Sequence, residues 1–464
     1  MSTADLTATE LRRRIATREV TAVESVEACL ERVKQLNPTL NAIVTLNPQA
    51  LEDAAQLDTR IRKGQDPGPL CGLTVGIKDV TPVAGLRTTF GSPLYADHVP
   101  KEDALVVRRL RDAGAIVLGK TNCPEFAAGA NTFNDVFGRT RNPWDTSKSA
   151  GGSTGGGAAA LATGMIALAE GTDLGGSLRI PAAFCGITGL RPSIGLVPTY
   201  PTDWAWDTLQ VTGPMARTAE DVAIMLQAIA GPDERSPFAQ PIDGRDFLRG
   251  VREVRKNLRI AYCPDIAGIG VDADVERVCR EAAFALAAQG AIVEEIDMNL
   301  SAARPAFLSV RGLWFVTHML PRLDMQDRFG PNVGNNVRSG LTVTSKEIAA
   351  AEAYRGQLWH QFRRFFDDYD HLLTPCVAVP PFPVEQNYPD TIAGKPMETY
   401  IDWIAPTFVL SLTGLPSASV PAGLDSTGMP VGLQIAGGQF GEEDVLAIAA
   451  QIQKLRPIAL PKAV

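Results

Sequence analysis

The sequence predicts an α/β fold: one large domain with a mixed central β-sheet covered by helices on both faces. Three observations carry that expectation. Short apolar segments, among them residues 73–77, 115–118, 258–263 and 291–296, alternate with longer stretches of helical spacing; strands alternating with helices are the pattern of a sheet buried on both sides. Composition is globular, 45% hydrophobic and 21% charged over 464 residues. No passage reads as a linker that cuts the chain and no internal repeat is visible. A single domain over residues 1–464 is therefore expected, although length alone permits two or three.

Taken in order, residues 1–65 read as a helical N-terminal wrap. Thr21-Ala22-Val23-Glu24 is a capping-box pattern, in which the Thr and Glu side chains each serve the other's backbone N–H. It opens a helix to about Leu36, ended by Asn37-Pro38. Pro48 opens a second helix through Ile61 that Gly64 closes, with residues 41–46 between them as a short strand. A core of strand, glycine loop and helix follows over about 70–220. Within it, residues 157–169 are small and apolar enough for one tightly packed helix. After Asp221 come a helix, a Pro/Asp/Gly-rich passage (231–244) and a strand–helix–strand unit whose helix spans about 274–289. Residues 300–370 are helix-rich and expected on the substrate side. Residues 372–383 read as strand then proline loop, 416–421 and 431–436 as two strands, and 442–455 as a closing amphipathic helix.

Several function classes are excluded early. The formal charge is −8 and no basic run reaches five residues, so a nucleic-acid partner is not expected; Arg12-Arg13-Arg14 reads as the wet face of a helix. The opening MSTADLTATELRRR has no apolar leader, and no apolar run reaches membrane-spanning length. Seven scattered cysteines, none in CxxC spacing, suggest reduced, buried thiols in a cytoplasmic protein rather than a disulfide frame or a metal site. Cys185 reads as a small core residue rather than a nucleophile.

Chemistry concentrates at two glycine-bracketed serines, Ser153 in Gly151-Gly152-Ser153-Thr154-Gly155-Gly156 and Ser177 in Gly175-Gly176-Ser177. Glycine beside a serine removes side-chain cover and lets hydroxyl and backbone N–H groups approach a ligand. None of the four histidines lies in a glycine-rich motif, so a Ser-His-Asp triad lacks an evident base. The string around Ser153 matches a G-x-S-x-G elbow, but residues 142–146 before it do not read as the strand an elbow needs, and Ser177 stays unexplained. No lysine has a serine three positions before it. Nucleotide sites fare no better. The P-loop-like string of residues 114–121 has strand-like middle residues, and the G-x-G-x-x-A of residues 268–273 is equally a loop-to-helix turn. No cofactor is expected.

Gly171-Thr172-Asp173-Leu174-Gly175-Gly176-Ser177-Leu178-Arg179-Ile180-Pro181, with Ser153 upstream and Lys78 closing Leu73-Thr74-Val75-Gly76-Ile77-Lys78, resembles the signature of the amidase signature family, serine hydrolases with a Ser–cis-Ser–Lys triad. Residues 119–129, 138–144, 189–192 and 213–218 extend the match. The resemblance implies Ser177 as nucleophile, Ser153, after a cis bond from Gly152, as proton relay, and Lys78 as base. It implies an oxyanion hole from the N–H groups of Leu174, Gly175, Gly176 and Ser177. Burial at a strand end favours a neutral Lys78; without the resemblance it reads as a lysine reaching for water. Asp173 and Arg179 read as a structural pair shaping the loop. Thr154 replaces the family's second serine, keeping the hydroxyl and adding a methyl.

Substrate contacts are expected from Ala127, Ala128 and Gly129. The loop of residues 199–207 approaches the pocket in the family, and its Trp204 and Trp206 suggest an anilide or aryl carbamate, or else simply pack the loop onto the core. The implied function is hydrolysis of a C–N bond in a small-molecule amide, carbamate or related ester, by a monomer or homodimer. The alternative is a glutaminase-type subunit of a tRNA-dependent amidotransferase; residues 344–354 lack that subunit's tyrosine-rich segment. A catalytically dead binding protein is a third reading, opposed by intact Lys78, Ser153 and Ser177.

Overall fold

The computed structural model describes residues 2–253 and 255–461. Eleven strands form one sheet: β1 (Ile43–Leu46), β2 (Thr74–Lys78), β3 (Ile116–Thr121), β4 (Leu168–Asp173), β5 (Thr188–Arg191), β6 (Val211–Ala216), β7 (Arg259–Tyr262), β8 (Ile292–Glu295), β9 (His371–Pro375), β10 (Ser417–Leu424) and β11 (Pro430–Ala436). Their spatial order is β1-β3-β2-β4-β6-β5-β10-β11-β9-β7-β8. β2 runs parallel to both β3 and β4, and β4 is antiparallel to β6, so the sheet is mixed as expected. β2, β3 and β4 are buried along their whole lengths.

The helices are α1 (Ala8–Ala16), α2 (Ala22–Leu40), α3 (Ala50–Arg62), α4 (Leu105–Asp112), α5 (Gly155–Ala162), α6 (Arg179–Cys185), α7 (Ala219–Ile229), α8 (Phe247–Arg252), α9 (Ala273–Ala285), α10 (Ala303–Met319), α11 (Pro331–Thr342), α12 (Ser345–Asp368), α13 (Ala405–Ser411) and α14 (Glu442–Leu455). Alternation along a strand sends successive side chains to opposite faces, and β11 shows the result. Val431, Leu433 and Ile435 enter the large core with Val278 and Cys279 of α9 and Val445 and Leu446 of α14. Gly432 abuts Ala183 of α6, and Gln434 reaches Arg179, so that face meets the second core, built with α10 and α13. A third, aromatic cluster joins Phe126 to Trp314 and Phe315 of α10 and Val333 and Val337 of α11.

Three element boundaries differ from expectation. α2 opens with the predicted capping box but continues through Pro38 to Leu40. Asn41 ends it in the left-handed region, and the Asn37 carboxamide oxygen accepts from the N–H groups of Ala42 and Ile43 at 2.8 Å each. Residues 157–169 are not one helix: α5 stops at Ala162, Gly164 turns at φ 72°, and Leu168 begins β4. A run of small apolar residues has no period, so a buried helix and a buried strand read alike. β3 extends to Thr121, which puts the Lys-Thr of the P-loop-like string inside a strand. Among the described residues no helix is long and apolar enough to cross a membrane, and no group of three or more His, Cys, Asp or Glu is placed to hold a metal ion.

Candidate active site

Lys78 ends β2, and the parallel register beside β4 sets Ile77 opposite Glu170. The ammonium end of Lys78 thereby meets the next turn of chain: Nζ lies 2.7 Å from Ser153 Oγ, 3.0 Å from Thr172 Oγ1 and 3.4 Å from the Thr172 carbonyl. Lys78 is completely buried. Desolvation pulls its pKa down to about 8, against the opposing pull of Cys123, Glu170 and Asp173. Glu170 fixes the strand end from below, accepting from the Lys78 backbone N–H at 3.1 Å and from Thr81 Oγ1 at 3.0 Å. A second buried lysine, Lys120 on β3, donates to the Thr81 carbonyl, and desolvation likewise brings it to about 8.

Ser153 follows a cis peptide bond from Gly152. Thr132 Oγ1 braces its loop, donating to the Gly151 carbonyl at 2.8 Å and accepting from Gly155 N–H at 3.1 Å. The Thr154 N–H donates to the Ser177 carbonyl at 3.3 Å and so ties the two serine loops together. The Thr154 hydroxyl is buried with no hydrogen-bond partner among the described residues.

Ser177 stands on the loop between β4 and α6, and Asp173 organises that loop from beneath. Its carboxylate accepts from Gly176 N–H at 2.8 Å and Leu178 N–H at 3.2 Å. It also takes a two-pronged bond from Arg179 at 3.0 and 2.9 Å, and Arg191 approaches to 3.3 Å. All three charged side chains are fully buried. Burial pushes the Asp173 carboxyl up, but the two guanidinium groups outweigh it and hold it well below the usual carboxylate range. Gly176 has a φ of 131°, and a Cβ there would lie 2.3 Å from Thr407 Oγ1; that hydroxyl donates to the Gly175 carbonyl at 2.6 Å. Of the four N–H groups expected to form the oxyanion hole, that of Gly176 is engaged by Asp173. The N–H groups of Leu174, Gly175 and Ser177 are the three without a partner among the described residues.

Ser153 and Ser177 share the wall of a small chamber of about 40 Å³. Beside it lies an outer chamber of about 330 Å³, lined in part by Val80, Phe90, Tyr200 and Arg322. Phe126, Ala127, Thr172, Gln210 and Trp314 line both.

The amidase family model matches residues 24–446. The chain belongs to the amidase signature family. It is 36% identical to an acylamidase of Rhodococcus erythropolis, over 98% of this chain and 96% of that one. It is 34% identical to a glutamyl-tRNA(Gln) amidotransferase subunit of Carboxydothermus hydrogenoformans, over 97% and 99%. The crystal structure of a bacterial aryl acylamidase, described as an amidase signature enzyme, superposes with a TM-score of 0.91 at 28% identity, covering 98% of this chain and 96% of that one. The protein is thus a hydrolase acting on amides.

Within this amidase, Lys78 and Ser153 are in direct contact and Ser177 opens on the same chamber as Ser153. Ala127 and Gly129 line that chamber, whereas Ala128 packs into the aromatic cluster. Neither expected tryptophan lines either chamber. Trp204 packs against His318 at 6.2 Å and borders a separate small cavity. Trp206 is 65% exposed, its ring edge-on to Phe238. The loop does reach the outer chamber, but through residues 199–203, Tyr200 among them. Missed by sequence reasoning were Phe307, Arg311, Trp314 and Phe315 of α10, together with Gln210 and Tyr400. No local signal marks them, because α10 also carries Arg304, Ser309, Thr317 and His318, among which Arg311 does not stand out.

Proposed function

We propose that this amidase cleaves the C–N bond of an aryl or otherwise hydrophobic small-molecule amide, and that carbamates and esters follow the same route. The observation that carries the reading is the buried Lys78 Nζ, 2.7 Å from Ser153 Oγ. A neutral lysine has two N–H donors and one lone pair. The oxygens of Thr172 accept the donors, which leaves the lone pair for the proton of Ser153. Ser153 in turn takes the proton of Ser177 as Ser177 Oγ attacks the carbonyl carbon. The N–H groups of Leu174, Gly175 and Ser177 receive the oxyanion, a type of donor worth about 3–4 kcal/mol each. Collapse breaks the C–N bond, the amine leaves with a proton returned through Ser153, and water hydrolyses the acyl-enzyme. The rings of Phe90, Phe126, Tyr200 and Trp314 in the outer chamber support an aryl substrate, as does likeness to acylamidases. Seven buried, unpaired thiols fit a reducing, cytoplasmic setting.

A second reading, that of a glutaminase component, rests on the 34% identity to the amidotransferase chain of Carboxydothermus hydrogenoformans. Release of ammonia from glutamine exceeding amine release from anilides would favour it. The deciding test is intact-mass and peptide-mapping analysis after treatment with a serine-reactive fluorophosphonate. One adduct on Ser177 is expected, absent in Ser177→Ala and strongly slowed in Lys78→Ala. Labelling of Ser153 alone, or undiminished anilide hydrolysis by Ser177→Ala, rejects the assignment.

A further inference from the structure

Among the described residues, Arg311 is the one charged residue lining the chamber that holds the two serines. It projects from the face of α10 that also carries Phe307 and Phe315, and only 6% of it is exposed. The guanidinium carbon lies 4.5 Å from the ring centre of Phe315 and 5.3 Å from that of Tyr400. Its two hydrogen-bond partners are neutral, the Asn336 carboxamide oxygen on Nη1 and the Tyr400 hydroxyl on Nη2. Among the described residues no carboxylate comes within ion-pair distance. That sets it apart from Arg179 and Arg191, the other wholly enclosed arginines near this site, which share Asp173.

A guanidinium carries five N–H donors in a planar fork suited to a carboxylate, and here three of them have no partner among the described residues. A buried charge without a counter-ion is unfavourable by several kcal/mol in an apolar setting; burial accordingly lowers the Arg311 pKa, with Tyr400 opposing. Rings and neutral acceptors soften the penalty without supplying the missing negative charge. Structural arginines are normally paired. This one faces a substrate chamber instead.

We propose that Arg311 binds a carboxylate carried on the acyl half of the substrate, a few bonds from the scissile carbonyl, so that the preferred substrates are N-aryl monoamides of short dicarboxylic acids. The proposal rests on the Ser177 reading above: with Ser177 as nucleophile the scissile carbonyl would sit in the small chamber and the aryl amine towards the aromatic lining of the outer one.

The test uses the full chain and two 4-nitroanilides of equal acyl length, 3-carboxypropionyl and pentanoyl. The expected kcat/KM ratio favours the carboxylate by about 10- to 100-fold, the range of a charged hydrogen bond. It should fall towards one in Arg311→Gln and recover in part in Arg311→Lys. Affinities of the two corresponding anilides for the Ser177→Ala protein, with and without Arg311→Gln, give the same ratio independently of turnover. A wild-type ratio at or below one, or a ratio that survives Arg311→Gln in a variant with unchanged thermal unfolding, overturns the proposal. Fluorophosphonate labelling separates the two failures. An unlabelled Ser177 removes the catalytic reading, whereas a labelled Ser177 with a flat ratio removes only the role of Arg311.

Discussion

At Lys78 one side chain carries both the cost of burial and the lone pair that the proposed mechanism uses. In water its pKa near 10.5 would leave about one lysine in a thousand neutral at pH 7.4; desolvation to about 8 raises that fraction to roughly a fifth. With neutral Lys78 as the proposed base, kcat/KM should rise about tenfold per pH unit below 8 and level off above it. Glu170 is the acid whose carboxylate touches the Lys78 backbone, and its field favours the protonated lysine. Glu170→Gln should therefore move the acid limb to lower pH, with Cys123, Asp173, Lys120 and Asp79 as the other titratable groups around the strand end. A profile flat from pH 6 to 9, or an acid limb unmoved in Glu170→Gln, contradicts this account. The two serines were legible in the sequence because glycine strips their hydroxyls of cover; Lys78 was legible only through the family resemblance, since an apolar strand ending in a cation otherwise reads as a lysine reaching for water. The Thr154 departure was legible too, and its unpartnered hydroxyl is the structural counterpart.

Between elements, the decisive contact is the crossing of α10 and α11. Gly312 and Gly340 meet there: a Cβ on Gly340 would lie 2.4 Å from the Gly312 carbonyl oxygen. Only glycine lets the helices approach this closely, and α11 carries the Asn336 that holds Arg311. Gly340→Ala should force the helices apart, destabilise the protein by about 1–3 kcal/mol and weaken kcat/KM through KM rather than kcat. Denaturant unfolding and steady-state kinetics on the same preparation check both halves; an unchanged unfolding midpoint contradicts the packing argument. This crossing was invisible in the sequence, since nothing local says which glycine on one helix meets which on another. The same reason hid Arg311, Trp314 and Tyr400. The strand–helix alternation of residues 258–296 was, by contrast, readable because each element carries its own period. Residues 157–169 fell between these cases, buried on every side and so periodless.

Across the whole molecule, Asp173 and its two arginines knot together segments far apart in the chain. Arg179 reaches Gln434 of β11 at 2.6 Å, Ser411 of α13 at 2.7 Å and the Thr407 carbonyl at 3.0 Å. Arg191 of β5 reaches the Leu209 carbonyl at 2.8 Å. The sequence suggested the Asp173–Arg179 pair; the third member and the distant acceptors exist only once the sheet brings β4, β6, β5, β10 and β11 side by side. Removing the one carboxylate would leave two guanidinium groups buried without a counter-ion. Asp173→Asn should therefore cost about 3–5 kcal/mol and loosen the Ser177 loop, since Gly176 N–H and Leu178 N–H lose a charged acceptor. The pH dependence follows from the direction of the shift. Asp173 is held below its unfolded value, so its stabilisation is fully present above about pH 4, the unfolded carboxylate pKa, and is lost progressively as pH falls below that. Wild-type protein should thus lose stability steeply between about pH 4 and pH 3. Asp173→Asn, already weakened, should show a shallower loss over the same interval. Urea unfolding of both proteins from pH 7 to pH 3 measures the difference, and parallel curves would mean that Asp173 does not carry the charge on which this knot depends.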